Sequence, residues 1–451
     1  MRSGLDLTHI DKNVRPQDDL FRFMNGKWLT ESKIPDDRAS DGAFYWLYEQ
    51  AEKQVKQIIL DQAQLKAAVG SNAQKIGDLY NSFMDEEFIQ AQGLSPIAAD
   101  LKAAQSFKSL DEFLTLLGEL EARGLSGLFY TYVSTDNKDS TKNIVYLGQS
   151  GLSLPDEAYY REDEYQEIRE SFLAHIQKMF ELAKLANPSQ SAQEVLLIET
   201  KIASFHWDQV KDRDAELTYN KMDFDQLIKL APSFNWPLWI EKSQTPAHVL
   251  SQVIIRQPSY LEGLGKLLAE FDLGPWRSWM SWHVLSGASP YLSTEFVNEN
   301  FNFYGTTLSG IPKLKDRWKR AVGLVEGALG EAVGQIYVQR HFGEAAKERM
   351  VDLVKNLITA YRTSIEGLDW MSQETKEKAF NKLEKFTPKI GYPDKWRDYS
   401  KLSIKPKDLI GNLAAISKYS QEYEYAKIGK PVDKSEWYMT PQTVNAYYNP
   451  G

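Results

Sequence analysis

The sequence predicts a mainly α protein, a large multi-helical lobe carrying one small β-hairpin. Three observations predict it. Apolar residues recur at spacings of three and four over long stretches, which puts them on one face of a helix. Two of these stretches open on a Ser with Glu three positions later, the pattern in which side chains close the free N–H groups of a first helical turn. The region 127–148 breaks that rhythm with two β-rich runs, as a hairpin does.

Taken in order, Leu47, Ala51, Val55 and Ile58 form one face after Phe44, and Ile76, Leu79, Tyr80 and Phe83 form the next. Ser109-Leu110-Asp111-Glu112 is a capping box ahead of Phe113, Leu117 and Leu120. Gly124 is placed to end that helix, because glycine takes the left-handed backbone of a C-terminal cap. GLFYTYVSTDNKDSTKNIVYLG, 127–148, reads as two strands around a polar DNKDS tip, and GLSLPDEAYY follows as punctuation. Ser191 and Glu194 repeat the capping box ahead of Val195, Ile198, Ile202 and Phe205.

GLVEGALG, 323–330, has the spacing of a helix whose small residues allow close packing; no Lys-Ser or Lys-Thr follows to make it a phosphate loop. The most regular helical pattern spans 344–366, with Val354, Leu357, Tyr361 and Ile365 on one side and Gly367 at its end. Another helix begins just after Ser372. KIGKPVDKSEWYMTPQT, 427–443, carries two prolines and reads as a crossing between domains. After it Val444, Ala446 and Tyr448 alternate with Asn445, Tyr447 and Asn449 as in an aromatic β-strand, and a strand needs a partner. The expected organisation is an N-terminal arm at 1–35, a helical domain at 36–425, and a linker with a strand at 426–451.

Composition narrows the function. The 42% apolar and 25% charged fractions of the 451 residues belong to a folding chain. A net charge of −9 and the lack of any basic run argue against nucleic acid as a partner. Without cysteine there is no disulfide, thiolate metal site or Cys nucleophile. The start shows neither a signal-peptide core nor a membrane-spanning run, which fits either a cytosolic protein or one whose targeting segment was removed.

None of the six histidines is followed by Glu and no two lie four apart, so the helical HExxH zinc site is not in these residues. His341 with Glu344 reads as a solvated helix end. His206 and Asp208, flanking Trp207, read as a hydrogen-bonded boundary. Asp85-Glu86-Glu87 and Glu162-Asp163-Glu164 could supply paired carboxylates for a glycosidase. With 62 acidic residues in the chain, however, adjacent acids are expected on a solvated face. The 12 Trp and 23 Tyr are a better lead to a ligand site, although core packing explains most of them.

Five longer stretches carry a family resemblance: RPQDDLFRFMNGKWL (15–29), GQSGLSLPDEAYY (148–160), FNFYGTTLSGIPKLKDRWKRAVGLVEGALGEAVGQIYVQRHF (301–342), KIGYPDKWRDYS (389–400) and KPVDKSEWYMTPQTVNAYYNP (430–450). The chain resembles the M13 zinc metallopeptidases, the neprilysin-like enzymes that include the oligopeptidase O group. The resemblance implies two mainly helical lobes facing each other across a chamber that admits peptides. One lobe is thermolysin-like and holds zinc through HExxH and a downstream Glu; this zinc polarises the scissile carbonyl and activates water. These residues correspond to the other lobe, with the arm at 1–35 packing on the catalytic lobe and 426–451 supplying the catalytic lobe's first strand.

By the same resemblance that strand is an edge on which an extended oligopeptide substrate lies, with Asn445, Ala446 and Tyr447 as substrate-binding residues. An edge offers free N–H and C=O groups that a peptide can pair with. Catalytic and metal-binding residues are then expected in a C-terminal remainder, either deleted or on a second polypeptide, and this chain alone is expected to be inactive. An unpaired aromatic edge would otherwise be an aggregation liability. The resemblance also implies export, periplasmic or extracellular. One departure from the family stands in IPDDRASDGAF, where Ser40 occupies the place of an Arg that holds the substrate carboxylate, with Arg38 two residues away as a substitute. A non-catalytic helical protein binding peptide or glycan is the alternative.

Overall fold

The structure is a computed structural model that describes residues 6–451. Helices dominate it, and they pack around two large hydrophobic cores, with a third small cluster of Ile144, Tyr146 and Ile254 on the sheet. The larger core lies beneath the helices Leu110–Glu121, Gln166–Leu182, Pro188–Ala203 and Pro258–Ala269, with Leu273–Ala288 running through its centre. That last helix is buried on most of its circumference, Ser278, Ser281 and His283 included, and it buries Trp276, Trp279 and Trp282, to which Trp236 is added from the helix Trp236–Lys242. Core packing therefore accounts for much of the tryptophan.

The smaller core joins Ala43–Gln64, Asn72–Met84, Arg317–His341 and Leu409–Tyr425. The predicted faces hold: Ala51, Val55 and Ile58 are buried on the first helix, and Ile76, Leu79, Tyr80 and Phe83 on the second. Leu47 stays exposed. Ser109 accepts from the Glu112 N–H at 3.2 Å as the capping box requires, but Glu112 reaches back to the Lys108 N–H instead. Gly124 ends the helix with φ +97°.

The hairpin is present as β1 (Phe129–Asp136) and β2 (Asp139–Gln149). It belongs to a four-stranded sheet, completed by β3 (Asn220–Asp223) and β4 (Gln252–Ile255) in the order β1-β2-β4-β3, with β2 and β4 parallel. β3 and β4 are only four residues long each, too short for alternation to reveal. The helix expected to open at Ser191 begins earlier, at Pro188, because proline supplies the φ of a first helical residue and needs no N–H partner there. Ser191 lies inside it.

At the end of the chain one expected element forms and the other does not. The helix Glu344–Gly367 forms as predicted and pairs with Gln373–Lys385, yet neither buries a residue; Leu357 and Tyr361 are exposed. Residues 444–449 form no strand, because no strand among the described residues lies alongside to pair with them. A bridge between Lys142 and Pro431, with the Val432 N–H donating to the Thr141 carbonyl at 3.2 Å, joins the crossing segment to β2.

Candidate peptide-binding segment

The segment 437–449 is built on the helix Arg317–His341. Four glycines line that helix, and their environments differ. A Cβ at Gly330 would stand 2.9 Å from Thr440 Cγ2, and one at Gly334 would stand 3.0 Å from both Pro441 Cδ and Gln442 Oε1. A Cβ at Gly323 or Gly327 would meet nothing within 4 Å among the described residues; both border a cleft of about 690 Å³ shared with Tyr291, Tyr304 and Leu324. Half of the glycine run thus serves close packing, and half lines open space. The helix is kinked at Leu329 (φ −130°, ψ 26°), just before the first tight contact.

Thr440-Pro441-Gln442-Thr443 is a turn with proline at its second position, where its fixed φ is suited to β-turns. The Thr443 N–H donates to the Thr440 carbonyl at 3.1 Å, and the two hydroxyls lie 2.8 Å apart. Gln442, 5% exposed, donates from Nε2 to the Gly330 carbonyl at 3.0 Å. Beyond this turn Val444 is half-buried, whereas Asn445, Ala446, Tyr447 and Tyr448 are exposed. Among the described residues, the only backbone bond made by 444–448 is from the Ala446 N–H to Asn445 Oδ1, at 2.8 Å.

Two aromatic contacts hold the segment in place. The Tyr447 ring meets the Tyr438 ring edge-on at 6.0 Å, and its hydroxyl accepts from the Tyr438 N–H at 3.4 Å. Tyr448 stacks on Phe386. Glu436 anchors the preceding crossing: its carboxylate receives Lys427 Nζ at 2.7 Å and the Tyr423 hydroxyl at 2.9 Å, while its carbonyl accepts from Lys389 Nζ. Burial, with Glu436 nearby, pushes the Tyr438 phenol up to about 12. It stays neutral and can only pack or hydrogen-bond.

Asn445, Ala446 and Tyr447 thus lie on one exposed stretch that pairs with no strand among the described residues. Asn445 already spends its carboxamide oxygen on its own chain, which leaves its NH₂ group turned to other partners. Arg38 is not available to a substrate: its guanidinium donates to Glu49 at 2.8 Å and to Asp41 at 2.7 Å, and its side chain is 13% exposed. Ser40 bonds the Tyr45 hydroxyl.

Elsewhere, His206 is a boundary residue bonded to the Ser150 carbonyl, and burial lowers it to about 4. Asp208 caps the following short helix. His341 rests beside Tyr337. Asp85 caps a helix whose first turn holds Glu86 and Glu87. Among the described residues, no three His, Cys, Asp or Glu side chains converge to hold a metal ion. With HExxH also missing from the sequence, these residues do not fit the zinc that the family resemblance implies.

Sequence reading missed Gln442 and Glu199. Glu199 is fully buried and fixes GLSLPDEAYY to the core, accepting from Ser153 N and Oγ at 3.0 and 2.7 Å and from the Tyr160 hydroxyl at 2.5 Å. The signal for Gln442 was the Pro441 turn beside a helix with small residues four apart.

A family model described as peptidase family M13 matches residues 16–393. The chain is 28% identical to a neutral endopeptidase of Lactobacillus helveticus, over 99% of this chain and 69% of that protein. It is 27% identical to human endothelin-converting enzyme 1, over 98% of this chain and 60% of that one. Among solved structures, the Mycobacterium tuberculosis zinc metalloprotease Zmp1 in complex with an inhibitor superposes with a TM-score of 0.95 at 46% identity, over 100% of this chain and 68% of that chain. The chain therefore spans about 60 to 69% of the length of these relatives. In the solved structure the unmatched third belongs to the same chain, which lends no support to a second polypeptide. No helix among the described residues is long and apolar enough to cross a membrane. Family model, relatives and fold agree that this chain belongs to peptidase family M13.

Proposed function

We propose that these residues form the substrate-chamber portion of a zinc metalloendopeptidase that hydrolyses oligopeptides, and that 444–448 is the stretch on which an extended peptide lies. The observation that carries this reading is the backbone of 444–448, exposed from Asn445 onward, whose N–H and C=O groups, apart from the Ala446 N–H, have no bond among the described residues. Such a backbone can accept a peptide as an added strand with little demand on its sequence. Asn445 contributes its NH₂ group to a substrate carbonyl, Ala446 keeps the approach clear, and Tyr447 flanks the peptide.

In this reading 1–35 is an arm toward the catalytic lobe, 36–425 the helical lobe, and 426–451 the crossing and substrate segment. Zinc and its ligands belong to a further stretch of sequence outside residues 1–451, as the greater length of the relatives supports. An exported location belongs to the same proposal and rests on the family resemblance.

The test is fluorescence anisotropy with a dye-labelled alanine pentapeptide carrying one central phenylalanine. Asn445→Ala should weaken binding about tenfold, the loss of about one hydrogen bond, with thermal stability unchanged because the residue is exposed. Equal affinity of the two proteins would remove Asn445 from the site. The pure chain should cleave no peptide, and chelator-sensitive turnover would refute the placement of zinc elsewhere.

A further inference from the structure

Resting on that reading, the peptide-binding stretch needs a fixed direction, and it has no strand among the described residues to supply one. Exposed backbone bound only by its own side chains should sample many conformations. Here the segment leaves a turn that is clamped to a rigid helix. The helix Arg317–His341 buries Ala321, Val322, Val325, Leu329, Ala332 and Val333 in the smaller core, so its opposite face is a fixed platform. Gly330 and Gly334, four apart, stand on one face of it. Their missing side chains let Thr440, Pro441 and Gln442 approach the helix backbone directly.

Within this contact Gln442 is, among the described residues, the side chain of the turn that is both buried and bonded to the platform. Its Nε2 reaches the Gly330 carbonyl one residue after the Leu329 kink. Its Oε1 is sealed from solvent and has no partner among the described residues, packed toward Gly334. A buried, half-satisfied amide costs free energy that an apolar residue of the same length would avoid. The bond to Gly330 is therefore better understood as fixing geometry than as adding stability. Three residues later the chain reaches Asn445.

We propose that Gln442 is a positioning residue: by bonding the Gly330 carbonyl it locks the Thr440–Thr443 turn onto the helix and sets the direction in which Asn445, Ala446 and Tyr447 meet a peptide. The small residues at 330 and 334 are the matching half of this clamp. Gly323 and Gly327, on the same helix but facing open space, take no part in it.

Gln442→Met keeps the length and the apolar stem of the side chain but cannot donate. In the 451-residue protein it should speed hydrogen exchange of the Thr443 amide about tenfold, weaken the same labelled pentapeptide about tenfold, and leave the thermal midpoint nearly unchanged. Gly330→Ala, which drives a methyl group into Thr440, should reproduce both effects through the other partner. Gly323→Ala should produce neither. If Gln442→Met exchanges and binds like the wild type, or exchanges faster yet binds equally well, the positioning role is wrong. If the wild-type protein fails to bind the peptide, the peptide-binding reading itself falls, and the Thr443 exchange still decides whether Gln442 holds the turn.

Discussion

Replacing Glu121 by Gln should flatten the alkaline side of this protein's stability. Glu121 closes the helix Leu110–Glu121 and faces Trp239, whose indole N–H donates to Oε2 at 2.5 Å. Its Oε1 is sealed from solvent with no partner among the described residues, pressed against Gly127, where a Cβ would overlap it. Burial pushes this carboxyl from the usual carboxylate range up to about 8. In the unfolded chain it ionises near the ordinary glutamate value of about 4.3.

Between those two values the folded protein holds a proton that the unfolded chain has released. Stability from this group is full below the unfolded value and is lost as pH rises through the folded one. The slope approaches about 1.4 kcal/mol per pH unit, so the loss from pH 5 to pH 8 is on the order of 4 kcal/mol. Gln has the same shape, cannot ionise, and keeps an oxygen for the Trp239 N–H. Urea unfolding followed by tryptophan fluorescence at pH 5, 6, 7 and 8 should give similar wild-type and variant stabilities at pH 5. They should then separate progressively, with the variant ahead by a few kcal/mol at pH 8. Parallel profiles across this range would refute the argument that Glu121 is held neutral.

On the acid side the sign reverses at His206. Its burial lowers it to about 4, so the unfolded chain takes up a proton near pH 6.5 that the folded protein refuses. Stability should fall on the order of 2 kcal/mol from pH 6.5 to pH 4.5, and His206→Gln, which retains a donor for the Ser150 carbonyl, should remove that part of the fall in the same unfolding series. In the smaller core Lys75 is 1% exposed and donates to the Tyr399 carbonyl at 2.6 Å. Lys75→Ala should cost on the order of 3 kcal/mol by opening a cavity and leaving that carbonyl unpaired, read as a lower urea midpoint.

The parts of the fold legible in the sequence were those governed by neighbours a few positions away. Val55 and Ile58, or Ile76, Leu79 and Phe83, announce a buried helix face because one face of a helix repeats every three to four residues. Gly124 announces a helix end because few other residues accept its backbone. β3 and β4 were not legible: with four residues each, they are strands only because β2 lies beside β4. The reverse holds for 444–448, where alternation was plain and no strand forms without a partner.

For the candidate site the division runs along the same line. By itself the sequence determined a mainly helical M13 chain with no HExxH, and it marked Asn445, Ala446 and Tyr447 through a long motif. Only the tertiary structure decided that Arg38 is consumed by Asp41 and Glu49, and that Gly330 and Gly334 receive the turn while Gly323 and Gly327 face a cleft. It also decided that Gln442 reaches back across 112 positions to the Gly330 carbonyl. The physical reason is that periodicity and caps are local properties of the chain, whereas a hydrogen bond or a glycine contact depends on which distant segment arrives within about 3 Å.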